Sequence, residues 1–595
     1  MSGDSRFIRD DASSPATAPR GLGFSGKLLP RKDLLAILAT LLFATLWIDF
    51  SKIQTNHNGD TFVMSLISIF QWTPLFWEQN RLGMLIPALA TPFHHPLVNL
   101  LVQSGIVIFS GMAGFFLLGY YIAGRRRGMM IGVSSLLLFM VGVRLRQQFG
   151  YFVYIHQFAT SLTLSLLALI ALAHHDRKRG WRWVAAAISC IWLALWVNPS
   201  IAFTLGPLVL LRRFLLADSA SLFDRMDDGL IRNSDTRAQF LLASSPSFAL
   251  PRPRVRIVEV LKGYPASDWI ALFATASGLL ISMAISKFCS LEQEGYAFLP
   301  PGEWLACAVG VLRNLPEELD RAWLAAVALI GLSGLATLRW SSGRLAFGRS
   351  ARLALGLLLP AATQFAFMTS LDHVHRSDYA HYIFAAVFLW QGACVAFAVT
   401  QWTAVAPDSL KLRAVPSLLL IVFCLVTAAR LGRPGIDVVR QAIDEKAGKF
   451  TAEILDRHCT HVTGDYWRVW SAVFHVNMTL ADRGSKQTFW GIAQRCRQTA
   501  DRWTRTPQAE TRIAAILGHE APAADYLEHY RVPPVVEVGR GETIRVLVPV
   551  MAIAENWPEF GPPTVSDEVP GPTIVASQIA HRGSPDAKTP PIARR

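Results

Sequence analysis

The sequence predicts a polytopic α-helical membrane protein with about eleven transmembrane helices and a small α/β extracytoplasmic C-terminal domain. Three observations predict it. Of 595 residues, 52% are hydrophobic and only 17% charged, a balance that belongs to membrane proteins. Apolar runs of bilayer-crossing length recur along the first two thirds of the chain. Five short Lys and Arg clusters between those runs fall on one side once the runs are threaded alternately through a bilayer.

The elements follow in order. Residues 1–32 are polar, mixed in charge and rich in Ser, Pro and Gly, too long and too charged for a secretory signal, and read as a disordered cytoplasmic tail. The transmembrane domain occupies 33–431, with apolar runs at 33–51, 97–123, 128–144, 155–173, 183–198, 200–216, 267–288, 322–338, 353–371, 380–402 and 415–431. Asn198-Pro199 divides one long stretch into a tight pair. The clusters Arg125–Arg127, Arg177–Arg179, Arg212–Arg213, Arg339 to Arg352, and Lys411 with Arg413 then share the side of the N-terminal tail. By the positive-inside rule that side is the cytoplasm. The segment 213–264 is a long cytoplasmic loop, without sustained periodicity and with no chemistry assigned to it.

From 432 to 565 the composition is that of a soluble α/β domain. Residues 437–457 read as an amphipathic helix, "HVTGDYWRVWSAVFHV" as a strand-like aromatic run, and "PPVVEVGRGETIRVLVPVMAIA" as two strands around a turn. Residues 566–595 read as a disordered tail.

The net charge of +14 is dispersed in short clusters, so anionic lipid rather than nucleic acid is the partner it implies. The seven cysteines show no CxxC or His-linked spacing, and no metal site is indicated. A disulfide between Cys459 and Cys496 is open to an extracytoplasmic domain.

Ionisable groups at a membrane boundary are costly and generally serve a site. The first outer loop, 52–96, contains "NGD" and then "WEQNRLGMLIP" and "FHHP". Asp60 has a plain reading as the N-cap of a helix starting at Thr61. Glu78 and Arg81 suit an i,i+3 ion pair, His94 and His95 a helix-entry turn before Pro96, and Trp72, Phe76 and Trp77 an interfacial aromatic belt. So apolar a loop is expected to lie on the membrane surface. A second cluster, "DHVHRSDYAHY", brings Asp372, His373, His375, Arg376, Asp378 and Tyr382 within about ten residues. Arg376 offers a planar fork for phosphate, and the His and Asp side chains offer proton exchange near neutral pH. "VRLRQQFGYFVYIHQ" adds Arg144, Arg146, Tyr154 and His156, cations on the outer side that an anionic ligand explains better than lipid orientation does. An outer loop at 289–321 carries Glu292, Glu294, Glu303, Arg313, Glu317 and Glu318.

On these features the chain resembles the GT-C superfamily of membrane glycosyltransferases, which use sugars carried on polyprenyl phosphates. The resemblance lies in "NGD" soon after the first span, in "WEQNRLGMLIP", in the span count and in the extracytoplasmic C-terminal domain. It implies transfer of a sugar from a polyprenyl-phosphate donor to a cell-envelope glycan or lipid acceptor, on the outer face of a bacterial cytoplasmic membrane. It implies Asp60 as catalytic base, with Glu78 or Asp372 as acidic partner, and Arg81 and Arg376 as phosphate ligands. The remaining candidates for substrate contact are His94, His95, Arg144, Arg146, Tyr154, His156, His373, His375, Asp378 and Tyr382. The first loop lacks an adjacent acidic pair, so no cofactor or divalent metal is expected. The competing classes are a transporter or flippase of lipid-linked or anionic solutes, and a polysaccharide polymerase or ligase.

Overall fold

The computed structural model describes residues 59–77, 82–142, 157–178, 180–210, 266–289, 297–341, 349–372, 383–405, 411–431, 435–494 and 511–550, with Val374 and several residues of 35–45. Besides the helical residues described within 35–45, the helices α1 (Gly59–Phe70) and α2 (Leu85–Ala90) precede the long spans. The membrane part then comprises α3 (Pro96–Ala123), α4 (Arg125–Gly142), α5 (Phe158–Lys178), α6 (Trp181–Val197), α7 (Ala266–Cys289), α8 (Pro301–Glu318), α9 (Arg321–Ser341), α10 (Arg349–Gly356), α11 (Leu358–Thr369), α12 (Phe384–Val405) and α13 (Lys411–Leu431). Among the described residues five helices are long and apolar enough to cross a membrane, or six if the sharply bent pair α8 and α9 counts as one span. The other apolar runs form shorter helices, and the first run, 33–51, lies mostly outside the described residues.

The helices are joined by tight connections where the sequence turns. Gly124, with φ 72°, lies between α3 and α4 and takes the left-handed conformation that a residue with a side chain resists. At the Asn198-Pro199 break, Asn198 caps a single 3₁₀ turn (Pro199–Ile201) by accepting from the Ser200 amide at 3.1 Å. Buried Gln364 on α11 holds this turn, donating to Ser200 Oγ at 3.3 Å and accepting from Thr204 at 3.2 Å. Away from water such polar atoms must find partners in the protein, so this network fixes α11 against the break.

The stretch 289–321, expected to be a loop, is largely α8. Pro301 at the first helical position and the apolar positions Leu305, Cys307, Val311 and Leu315 support a helix. Its buried face packs in a small core with Phe158, Met368, Leu371, Val374 and Ile383.

Residues after α13 build an α/β unit from α14 (Ile436–Asp456), β1 (His461–Thr463), α15 (Tyr466–Asp482), β2 (Trp490–Ile492), β3 (Ile513–Ile516), α16 (Glu520–His529), β4 (Val535–Arg540) and β5 (Ile544–Pro549). The sheet order is β2-β1-β3-β5-β4. Strand β1 runs parallel to both neighbours, whereas β5 pairs antiparallel with β3 and β4. The aromatic run read as strand-like is helical: only 461–463 form a strand, and Tyr466, Trp470 and Phe474 then recur every four residues on α15. Asp465 caps that helix, accepting from the amides of Trp467 at 3.1 Å and Arg468 at 3.4 Å. Glu453 on α14 clamps the β4–β5 turn by accepting from the amides of Glu542, Thr543 and Ile544 and from the Thr543 hydroxyl. Burial alone would raise its carboxyl, and those donors outweigh that and hold it below the usual range. Cys459 is a buried free thiol whose pKa burial pushes up to about 12; Cys496, the other half of the disulfide left open above, lies outside the described residues.

His461 on β1 is fully enclosed, and desolvation lowers it to about 4. An unfolded chain binds this proton near pH 6.5. Below that pH the unfolded state gains a proton the folded state refuses, so stability falls as pH drops from about 6.5 towards 4. Acid denaturation followed by tryptophan fluorescence should show this slope, and His461→Asn should flatten it.

The first outer loop is packed against the α/β unit and is not an independent amphipathic segment. Its apolar residues share one continuous core with the α/β unit: Phe62, Val63, Leu66, Phe76, Trp77 and Leu82 pack with Val469, Trp470, Val473, Phe474 and Trp490. Phe76 and Trp77, read as an interfacial belt, are each 1% exposed; Trp72, at 39%, remains at the edge. The loop is apolar because protein covers it.

Candidate functional site

The candidate site forms where the first loop, the ends of the membrane helices and the α/β unit converge. Two anchors set the loop on the helices. The Gly83 amide donates to the Trp196 carbonyl at the end of α6 at 2.9 Å, and the Trp196 indole donates to the Pro74 carbonyl at 2.9 Å. A Cβ on Gly83 would stand 2.3 Å from that Trp196 oxygen, so the "RLGM" glycine is required by close backbone approach. Gly83→Ala should cost about 1–3 kcal/mol of stability through overpacking, read as a lowered Tm in detergent. On the other side, buried Asn99 at the start of α3 donates to Ser68 Oγ at 2.8 Å and to the Ala90 and Phe93 carbonyls at 2.9 Å. Gln103, one turn on, donates to Asn99 Oδ1 at 2.7 Å and to the Met64 carbonyl at 3.2 Å. Helix α1 is therefore fixed on α3 by side-chain amides as well as by packing.

Asp60 lies in the first turn of α1, not at its N-cap, since the helix begins at Gly59. Its carboxylate is 7% exposed and benefits from the positive end of the helix dipole. The Tyr466 hydroxyl, from the first residue of α15, donates a hydrogen bond to Asp60 Oδ1. Gly59 makes this approach possible: a Cβ there would be 3.1 Å from Tyr466 Cε1 and 3.3 Å from the Tyr466 carbonyl. The "NGD" of the first loop and the "GDYW" of the α/β unit are thus two halves of one junction, 406 residues apart. Two residues past Asp60, the Phe62 ring stacks on Phe474 at 4.5 Å and carries the Lys446 ammonium 5.7 Å from its centroid. Lys446 is a cation beside this junction that the sequence reading passes over.

His95 caps the start of α3 and its Nε2 lies 3.0 Å from Asp482 Oδ1, which also accepts from Arg440 at 2.8 Å. Burial alone would raise the Asp482 carboxyl, but the hydrogen bonds from His95 and Arg440 outweigh it and hold the group below its usual range. His95 thus ties the membrane helix to α15. Its neighbour His94 is exposed.

Asp372 follows the end of α11, where its amide donates to the Ala297 carbonyl at 2.9 Å and Leu371 bridges Phe298. The same small core contains Phe158, first residue of α5, and Ile383, just before α12. The described flanks of "VRLRQQFGYFVYIHQ" and "DHVHRSDYAHY" are therefore packed together. Glu78, Arg81, Arg144, Arg146, Tyr154, His156, His373, His375, Arg376, Asp378 and Tyr382 themselves lie outside the described residues. Among the described residues no three His, Cys, Asp or Glu side chains converge to hold a metal ion.

Chemically, the junction offers a buried carboxylate with a fixed hydrogen-bond donor and a nearby ammonium group. A carboxylate accepts at about four lone-pair positions, so the bond from Tyr466 still leaves Asp60 able to take a proton.

No family model matches the chain, and neither does any curated protein. Among solved structures the chain is similar to ArnT from Cupriavidus metallidurans, both in the apo state and bound to undecaprenyl phosphate. Each match has 12% identity and a TM-score of 0.28, and covers 87% of this chain and 97% of the other. It is also similar to the Archaeoglobus fulgidus oligosaccharyltransferase in complex with zinc and sulfate, at 12% identity and a TM-score of 0.37, over 83% of this chain and 69% of the other.

Proposed function

We propose that this chain is a membrane glycosyltransferase that moves a sugar from a polyprenyl-phosphate donor to a cell-envelope glycan or lipid acceptor, on the outer face of a bacterial cytoplasmic membrane. The observation that carries the reading is the placement of Asp60: a first-loop carboxylate buried at a helix start, directly between the membrane helices and the α/β unit. A lipid-linked donor enters such a site from the bilayer, while a polar acceptor enters from the side of the α/β unit. The sides follow from charge: Arg127, in the first turn of α4, follows the far end of α3, roughly 40 Å along that helix from His95, and positive charge there supports a cytoplasmic face.

In the reaction, Asp60 accepts the proton of an acceptor hydroxyl as that oxygen bonds to C1 of the donor sugar. The C1–O bond to phosphate breaks with its electron pair going to the phosphate oxygen, and polyprenyl phosphate departs. A phosphate leaving group needs no general acid, so one base and a few cations suffice; Arg81 and Arg376 are the proposed phosphate ligands. The step needs no redox cofactor, and the proposal assigns it no metal.

The test is mass spectrometry of the cell-envelope glycans of a deletion strain against its parent. Loss of one sugar residue from an otherwise intact glycan is expected. An unchanged glycan overturns the proposal, and intact lipid-linked precursor accumulating inside the cell assigns the chain to flipping instead.

A further inference from the structure

We propose that Tyr466, from the α/β unit, is the positioning residue of the reaction: its hydroxyl holds the Asp60 carboxylate in the orientation in which it takes the acceptor proton. The inference rests on the reading of Asp60 as the base. The two groups are joined by a hydrogen bond although they lie 406 residues apart in the chain. Three neighbours of that bond constrain it. Asp465 caps α15 and so fixes the backbone of its first residue. Gly59 leaves room for the ring and main chain of Tyr466, and Trp467 packs edge-on against the Tyr466 ring at 4.9 Å. Behind Tyr466 the α15 helix is anchored by Val469, Trp470 and Val473, all wholly buried, in the same core as α1.

A buried carboxylate with a single torsion left to turn is a poor base unless something fixes its plane, and a hydrogen bond to a charged acceptor is among the stronger ones available. Tyr466 retains its own proton throughout. The proton gained by Asp60 comes from the acceptor, and the phosphate takes the electron pair of the broken bond. A consequence is that the α/β unit completes the site instead of merely covering it. Undocking of that unit removes the hydroxyl from the base.

The experiment uses the full-length protein in proteoliposomes, with sugar-charged polyprenyl phosphate from the parent strain as donor and envelope material from the deletion strain as acceptor. Two quantities are read: the rate of polyprenyl phosphate release, and the equilibrium binding of a long-chain polyprenyl monophosphate. Tyr466→Phe should slow release about tenfold or more, the loss expected for a hydrogen bond to a charged group, while binding is unchanged. Gly59→Ala keeps the hydroxyl but crowds the ring, and should slow release severalfold with binding again unchanged. Glu453→Gln, which weakens the distant β4–β5 clamp, should lower Tm without slowing release. Release by Tyr466→Phe at the wild-type rate, in a protein whose Asp60→Asn variant is inactive, overturns the inference and leaves the base in place. A slow Tyr466→Phe whose binding falls equally, or whose rate loss is matched by Glu453→Gln, shows a merely structural tyrosine and also overturns it. An active Asp60→Asn variant removes the base and the inference together.

Discussion

Asp60→Asn should abolish the glycan modification while the protein remains inserted and folded. The substitution keeps the shape of the side chain, and its amide oxygen still accepts from Tyr466, so the junction with the α/β unit survives. What it removes is a group able to take a proton, and general-base contributions of about 10²–10⁴-fold make the loss large. The measurement is complementation of the deletion strain, with envelope glycans read by mass spectrometry and membrane content of the variant by immunoblot. A glycan restored to the parental pattern by Asp60→Asn would take Asp60 out of the reaction.

Trp77→Ala should have the largest effect on stability, at about 3–5 kcal/mol. Trp77 is 1% exposed and lies between Trp470 and Trp490, with ring centroids 6.0 and 6.4 Å away, and its indole donates to the Gln71 carbonyl at 3.3 Å. Removing it opens a cavity at the centre of the surface that joins the first loop to the α/β unit. Because that surface also positions α1 and Tyr466, activity should fall with stability. Thermal unfolding in detergent reads the stability, limited proteolysis the docking of the α/β unit, and release of polyprenyl phosphate the activity. A Tm equal to that of the wild-type protein would show that the loop is held by α3 and α6 alone.

These two residues mark what the sequence makes legible. Apolar runs and Arg clusters report topology because the bilayer constrains length and charge at every crossing. Asp60 stands out because a carboxylate after a glycine turn, ahead of an apolar helix, has few uses. Its partner is not legible, since no local pattern links position 60 to position 466. The aromatic content of the first loop misleads for a physical reason: a membrane interface and a buried protein interface select the same side chains, and only the covering surface on α15 and β2 distinguishes them. The helix from Tyr466 to Asp482 was obscured by its β-branched and aromatic residues, whose strand preference is overridden by Asp465 at the cap and by packing on α14 and the sheet. His95 reads as a helix-entry turn, and it is one; its pairing with Asp482 is again a contact across almost the whole chain.

The central claim is that sugar leaves polyprenyl phosphate at Asp60. Proteoliposomes charged with polyprenyl-phosphate-linked sugar and supplied with envelope material from the deletion strain measure this most directly. The account predicts acceptor-dependent release of polyprenyl phosphate, with the sugar recovered on the acceptor, from the wild-type protein and not from Asp60→Asn. Transfer of intact lipid-linked sugar across the bilayer with no release of polyprenyl phosphate would contradict it.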